Sequence, residues 1–157
     1  MIRRLLTALV FLSLAAPSFA LGEDKVAAAD FTLVDLAGKT WRLADQKGKV
    51  VLLDFTTTWC PWCVKDIPHL KKLSQKYQGN RNFEFVAVYL QESRQKVSSF
   101  ARKKELPYRI LLDLDGKVAA KYGVRGVPTK VVVDKDGNVL CWMCRDEEAL
   151  IDKALRK

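Results

Sequence analysis

Apolar residues along this chain fall into short blocks with two different periods. Val50-Val-Leu-Leu-Asp-Phe55 is a nearly continuous run, as expected of a central strand covered on both faces. Phe83-Glu-Phe-Val-Ala-Val-Tyr89 and Thr129-Lys-Val-Val-Val133 are rich in strand-favouring residues. Between the first two runs, Val64, Ile67, Leu70 and Leu73 recur at helical spacing, predicting a helix from about Cys60 that Pro68 should kink. Val97, Phe100 and Ala101 mark a second helix ending before Pro107. Arg109-Ile-Leu-Leu112 leads into an Asp-x-Asp-Gly turn and a short helix over Lys117–Tyr122, and Asp146–Arg156 reads as a terminal amphipathic helix. Two hairpins complete the pattern. Phe31–Leu36 and Thr40–Leu43 flank Ala37-Gly-Lys39, and Asp134-Lys-Asp-Gly137 joins the third run to a return strand over Asn138–Trp142. Strands alternating with helices predict an α/β fold: a central mixed β-sheet flanked by helices, with an N-terminal β-hairpin extension.

The second hairpin predicts a register. With Asp136-Gly137 as a two-residue turn, Val133 faces Leu140, Val131 faces Trp142 and Thr129 faces Cys144. Cys144 then lies beside Pro128.

Residues 1–20 read as an export signal. Arg3 and Arg4 precede the apolar Leu5–Ala16, and Pro17-Ser-Phe-Ala20 ends in the small residues of a cleavage site. The competing reading, a retained anchor, needs about 20 apolar residues. Cleavage after Ala20 leaves a short segment, 21–29, and one domain over 30–157, with no linker or repeat to divide it; the destination is the periplasm or an equivalent exported location. The chain carries 27 basic and 18 acidic side chains, a surplus of nine, or seven without Arg3 and Arg4. The lysines are scattered and no basic stripe interleaves with aromatics, so no nucleic-acid partner is expected.

Four cysteines change the picture, and they come as two Cys-x-x-Cys pairs: Trp59-Cys60-Pro61-Trp62-Cys63 and Cys141-Trp-Met-Cys144. A joint zinc site fits poorly, because 77 residues separate Cys63 from Cys141. Val64 and Arg145 stand where covalent haem attachment requires histidine. The lone His69 lies beyond Pro68. The first pair falls where a strand gives way to a helix, with Pro61 suited to the first helical turn. Cys60 is expected at the exposed helix end, its thiolate favoured by the helix dipole, and Cys63 one turn inward. That is thiol–disulfide exchange chemistry: the outer thiolate attacks a disulfide and the inner thiol resolves the adduct. Asp54, inside an apolar strand, is either structurally paired or has a raised pKa that serves proton transfer at Cys63. Pro128, just ahead of a strand, suits a tight turn open to a cis bond.

Asp30-Phe-Thr-Leu-Val-Asp-Leu-Ala-Gly-Lys39, Gly48-Lys-Val-Val-Leu-Leu-Asp-Phe55, Trp59-Cys-Pro-Trp-Cys63 and Tyr122-Gly-Val-Arg-Gly-Val-Pro-Thr129 together resemble the thioredoxin superfamily, more closely its exported TlpA/ResA-like members. The resemblance runs from about Asp30 to the C-terminus. It implies a thioredoxin-like fold, Cys60 as nucleophile, Cys63 as resolving thiol and Asp54 as buried acid. Pro128 would be a cis-proline beside the disulfide, with Val127 presenting backbone to an extended substrate. Trp59, Pro61 and Trp62 complete the expected substrate surface. The implied partners are proteins bearing disulfides or thiols and an upstream redox partner, membrane-bound in one version; cytochrome c maturation is a frequent task of similar proteins. No cofactor or metal is implied. Thr56-Thr-Thr58 and the Pro-Trp dipeptide depart from the family pattern, leaving the direction of electron flow open.

The second pair has no counterpart in that pattern. A fully extended strand would hold Cys141 and Cys144 about 10 Å apart, beyond disulfide reach. Either the chain turns at Trp142-Met143 or the thiols act separately. Three readings stand: a redox relay with the first pair, a soft-metal site for Cu(I) with Met143 (making the chain a metal-binding chaperone or module), or simply half-buried cysteines or a local staple.

Overall fold

A computed structural model describes residues 25–156; the signal-peptide reading of residues 1–20 lies outside the described residues. The strands are β1 (Thr32–Asp35), β2 (Thr40–Arg42), β3 (Val50–Thr56), β4 (Phe83–Leu90), β5 (Arg109–Asp113), β6 (Thr129–Val133) and β7 (Val139–Trp142). They form one mixed sheet in the order β2-β1-β5-β4-β3-β6-β7. Helices α1 (Pro61–Lys76), α2 (Arg94–Lys104), α3 (Lys117–Lys121) and α4 (Glu147–Leu155) accompany it. The sheet, its helices and the edge hairpin β1–β2 follow the thioredoxin-like plan.

Strand β3 lies in the interior of the sheet because all seven of its residues can be buried. It pairs in parallel with β4 and antiparallel with β6. Its alternation divides the core in two. Val51, Leu53 and Phe55 pack with Phe31, Trp41, Val88 and Tyr122 on one face. Val50 and Leu52 pack with Leu70, Leu73, Phe85 and Ile151 on the other. Side chains two apart share a face, so Asp54 points to the second face, the one covered by α1 and α4. Helix α1 continues through Pro68, an exposed position.

The β6–β7 hairpin departs from the predicted register in part. Asp134 N donates to Asn138 O and Gly137 N to Asp134 O, giving a three-residue loop with Gly137 at φ +90°. A turn followed by a left-handed glycine is a standard three-residue hairpin loop. Asp134 Oδ1 accepts from the backbone N–H groups of Asp136 and Asn138, which fixes it. Val133 therefore faces Val139 instead of Leu140, and an irregularity between Val132 and Val133 restores the predicted Val131–Trp142 pair. Along the outer side of β7, Val139 N donates to Val26 O, and Ala28 N to Gly137 O.

Candidate active site

The end of β3 delivers the chain to the head of α1, where Cys60 is the N-cap and Pro61 the first helical residue. Cys60 Sγ accepts from the Cys63 N–H at 3.4 Å, which sets the sulfur at the positive end of the helix. It also approaches the Val127 carbonyl at 3.5 Å. Both cysteines are free thiols. The expectation that Cys60 is exposed needs correcting: each cysteine is only 4% exposed. The Val127–Pro128 segment lies over Cys60, and the Val127–Pro128 peptide bond is cis. Thr129 Oγ1 donates to Gly126 O at 2.7 Å and ties that loop. Trp59 and Trp62, 66% and 68% exposed, stand beside the buried sulfur.

Beneath the pair, Cys63, Asp54, Thr56, Thr57 and Tyr89 line one small pocket. Burial, with the bond to Cys60, pushes the Cys63 thiol up to about 11, against the opposing contacts from Thr56 and Thr57. Asp54 is 1% exposed, and its Oδ1 has no protein hydrogen-bond partner among the described residues. Burial pushes its carboxyl up to about 8, although Lys130 pulls the other way. Of the two readings left open for Asp54, the structure adds a partner without a direct bond. Lys130 faces it across the β3–β6 ladder. The Lys130 ammonium instead bonds Asp66 of α1 at 2.5 Å and reaches Glu147 of α4 at 3.4 Å. Glu147 in turn meets His69 at 2.9 Å. Burial pulls the Lys130 ammonium down, but these three carboxylates outweigh it and raise its pKa. Lys130 escaped the sequence reading, although a lysine inside an apolar strand that pairs with β3 was its available signal.

Glu92 was also missed. Its buried carboxylate accepts from Thr58 N at 2.7 Å, Thr58 Oγ1 at 2.6 Å and Lys96 Nζ at 2.6 Å, bracing the turn before Cys60. Burial raises its pKa, but the Lys96 and Thr58 bonds prevail and lower it. Glu92→Ala is expected to cost about 2–3 kcal/mol by leaving the Thr58 donors unpaired, measured by urea unfolding at pH 7. A folded carboxyl held below its unfolded value stabilises above that value, so the cost should shrink as pH falls below about 4.

Cys141 and Cys144 are bonded to each other as a disulfide, with Cα atoms 5.6 Å apart. The chain does turn, through Met143 at φ +52°. Cys144 N donates to Lys130 O at 3.2 Å, beside the Pro128 loop as the register predicted. Val127, Pro128, Lys130, Trp142, Met143 and Cys144 line a single groove.

A dithiol at the strand-to-helix turn, a cis-proline loop over it and a buried carboxyl beneath define a thioredoxin-fold protein of the thiol–disulfide exchange class. Residues 25–141 match the AhpC/TSA family, and the chain belongs to it. It is 36% identical over 113 residues to the thiol-disulfide oxidoreductase ResA of Bacillus thuringiensis subsp. konkukian, a match covering 72% of this chain and 65% of that protein. The chain thus spans a little under two thirds of this curated relative. A thioredoxin-family thiol:disulfide interchange protein from Chlorobium tepidum superposes with a TM-score of 0.72 at 26% identity, covering 83% of this chain and 97% of that one. A secreted Mycobacterium tuberculosis disulfide oxidoreductase homologous to E. coli DsbE gives 0.65 at 28%, covering 81% and 96%.

Proposed function

We propose that this chain is an exported thiol–disulfide oxidoreductase that exchanges disulfides with protein substrates through Cys60 and Cys63. The observation that carries the reading is the Cys60 sulfur at the head of α1, against the carbonyl of Val127 in the cis-proline loop. A substrate segment laid along Val127 and Pro128, with Trp59, Pro61 and Trp62 at its sides, brings its disulfide to that sulfur. Cys60 attacks, a mixed disulfide forms and the substrate's other sulfur leaves as thiolate. Cys63 then attacks Cys60 and frees the substrate. Its high pKa means that this second attack needs a base, and Asp54, ionised above about 8 and lining the same pocket, is suited to take the proton.

Export is supported by the signal-like pattern of residues 1–20 and by the secreted relative. Among the described residues, no helix is long and apolar enough to cross a membrane. An upstream redox partner would restore the dithiol after each turnover, and the setting proposed for it is cytochrome c maturation. The Cu(I) alternative loses support because Cys141 and Cys144 are bonded to each other, leaving no free thiol there for a metal.

The test is insulin-disulfide reduction after strict metal removal. Cys60→Ser should fall to the uncatalysed background, while Cys63→Ser should accumulate covalent mixed disulfides with substrate proteins, seen on non-reducing gels. Undiminished turnover in Cys60→Ser would discard the proposal.

A further inference from the structure

We infer that the Cys141–Cys144 disulfide is a second exchange site, whose substrate is a protein thiol presented by an extended segment in the groove it shares with Val127 and Pro128. The inference adds to the proposed function the idea that one docked segment can reach two redox centres.

Position is the first argument. Cys60 touches the groove at Val127 O, and Cys144 is bonded to Lys130 O, three residues further along the same segment. At about 3.3 Å per residue this separates the two contact points by about 10 Å. Four residues of extended substrate cover that gap. Accessibility is the second argument. The first pair is buried, while Cys141 and Cys144 are half-buried and Met143 and Trp142 on their turn are 74% and 43% exposed. An incoming thiol therefore meets the second pair with less in its way.

The disulfide is also poorly suited to be a staple. It links residues three apart, and loops this short gain least from closure. Met143 holds φ +52°, a conformation that L side chains rarely adopt.

The step balances as an ordinary exchange. A substrate thiolate attacks one sulfur of the pair, the Cys141–Cys144 bond breaks, a mixed disulfide forms and the other cysteine leaves as thiolate. A second thiolate of the substrate then attacks its own sulfur in the adduct. The substrate is oxidised to a disulfide, and Cys141 and Cys144 are reduced, taking up two electrons and, after protonation, two protons.

The decisive chain is Cys60→Ser/Cys63→Ser, which keeps only the second pair. The probe is a synthetic eight-residue peptide carrying one reduced cysteine. The peptide is expected to form a mixed disulfide at Cys141 or Cys144, located by peptide mapping. It should form at least about tenfold faster than the adduct with glutathione at equal thiolate concentration, because the groove supplies proximity. Equal rates, or no adduct, overturn the inference. A Cys141→Ser/Cys144→Ser chain should keep cooperative thermal unfolding; its loss would mark a staple and likewise overturn the inference. The two ideas fail separately: wild-type chain inactive on insulin removes the proposed function, while the peptide adduct on the Cys60→Ser/Cys63→Ser chain stands or falls without Cys60.

Discussion

Asp54→Asn is expected to make the protein more stable and less active. Asp54 is 1% exposed, and burial lifts its carboxyl from 3.8 to about 8. A carboxyl whose folded pKa exceeds its unfolded value penalises the fold only where the unfolded carboxyl is ionised. The penalty is therefore absent below about pH 4, grows through the window up to about pH 8 and is constant above. Four units at about 1.4 kcal/mol each set the ceiling, and the buried amide retains part of the desolvation cost. Asparagine should thus stabilise by about 3–5 kcal/mol at pH 8 and by little at pH 4. Urea unfolding at the two pH values checks this; equal gains at both would show that ionisation is not the source. If Asp54 takes the Cys63 proton, turnover at pH 8 should fall by about 10²-fold in the same variant.

Lys130→Met should have the opposite effect on stability. The lysine side chain is 12% exposed and is the cation among Asp54, Asp66 and Glu147. Removing one partner of a buried ionic group leaves uncompensated charge and costs about 3–5 kcal/mol. The Asp54 carboxyl should rise further, since Lys130 is what lowers it. The double variant Asp54→Asn/Lys130→Met should recover part of the loss, because the two residues face each other across the ladder. Additive effects in that cycle would show that Asp54 and Lys130 do not interact.

Much of the fold was legible because β3 and its neighbours are long, apolar and bounded by turn residues, and because the residues after Cys60 repeat at helical spacing. Cys60, Cys63, Asp54 and Pro128 could be placed together because each is an exception in its own segment: thiols at a helix start, an acid in an apolar strand, a proline before a strand. What escaped depends on tertiary assembly. Cys60 was expected in solvent because a helix end alone is open, and only the return of Val127 over it closes the site. Glu92 and Lys130 act on elements far from them in sequence. The β6–β7 register slipped at its outer end because Asp134 captures two backbone N–H groups and favours a three-residue loop. The periodic signal further up the strands could not register that local choice.

The sheet's two margins also constrain how other proteins can be recognised. β2, at one margin, has three residues, and β7, at the other, has four. The β6–β7 pairing carries an irregularity, and the backbone of Val26 and Ala28 already occupies hydrogen-bonding groups along the outer side of the hairpin. Short, irregular and partly covered strands make poor templates for another chain to extend the sheet. Under the proposed function, the chain would handle partners with their disulfides open and so partly unfolded, and these margins shield it from co-assembling with them through its own backbone.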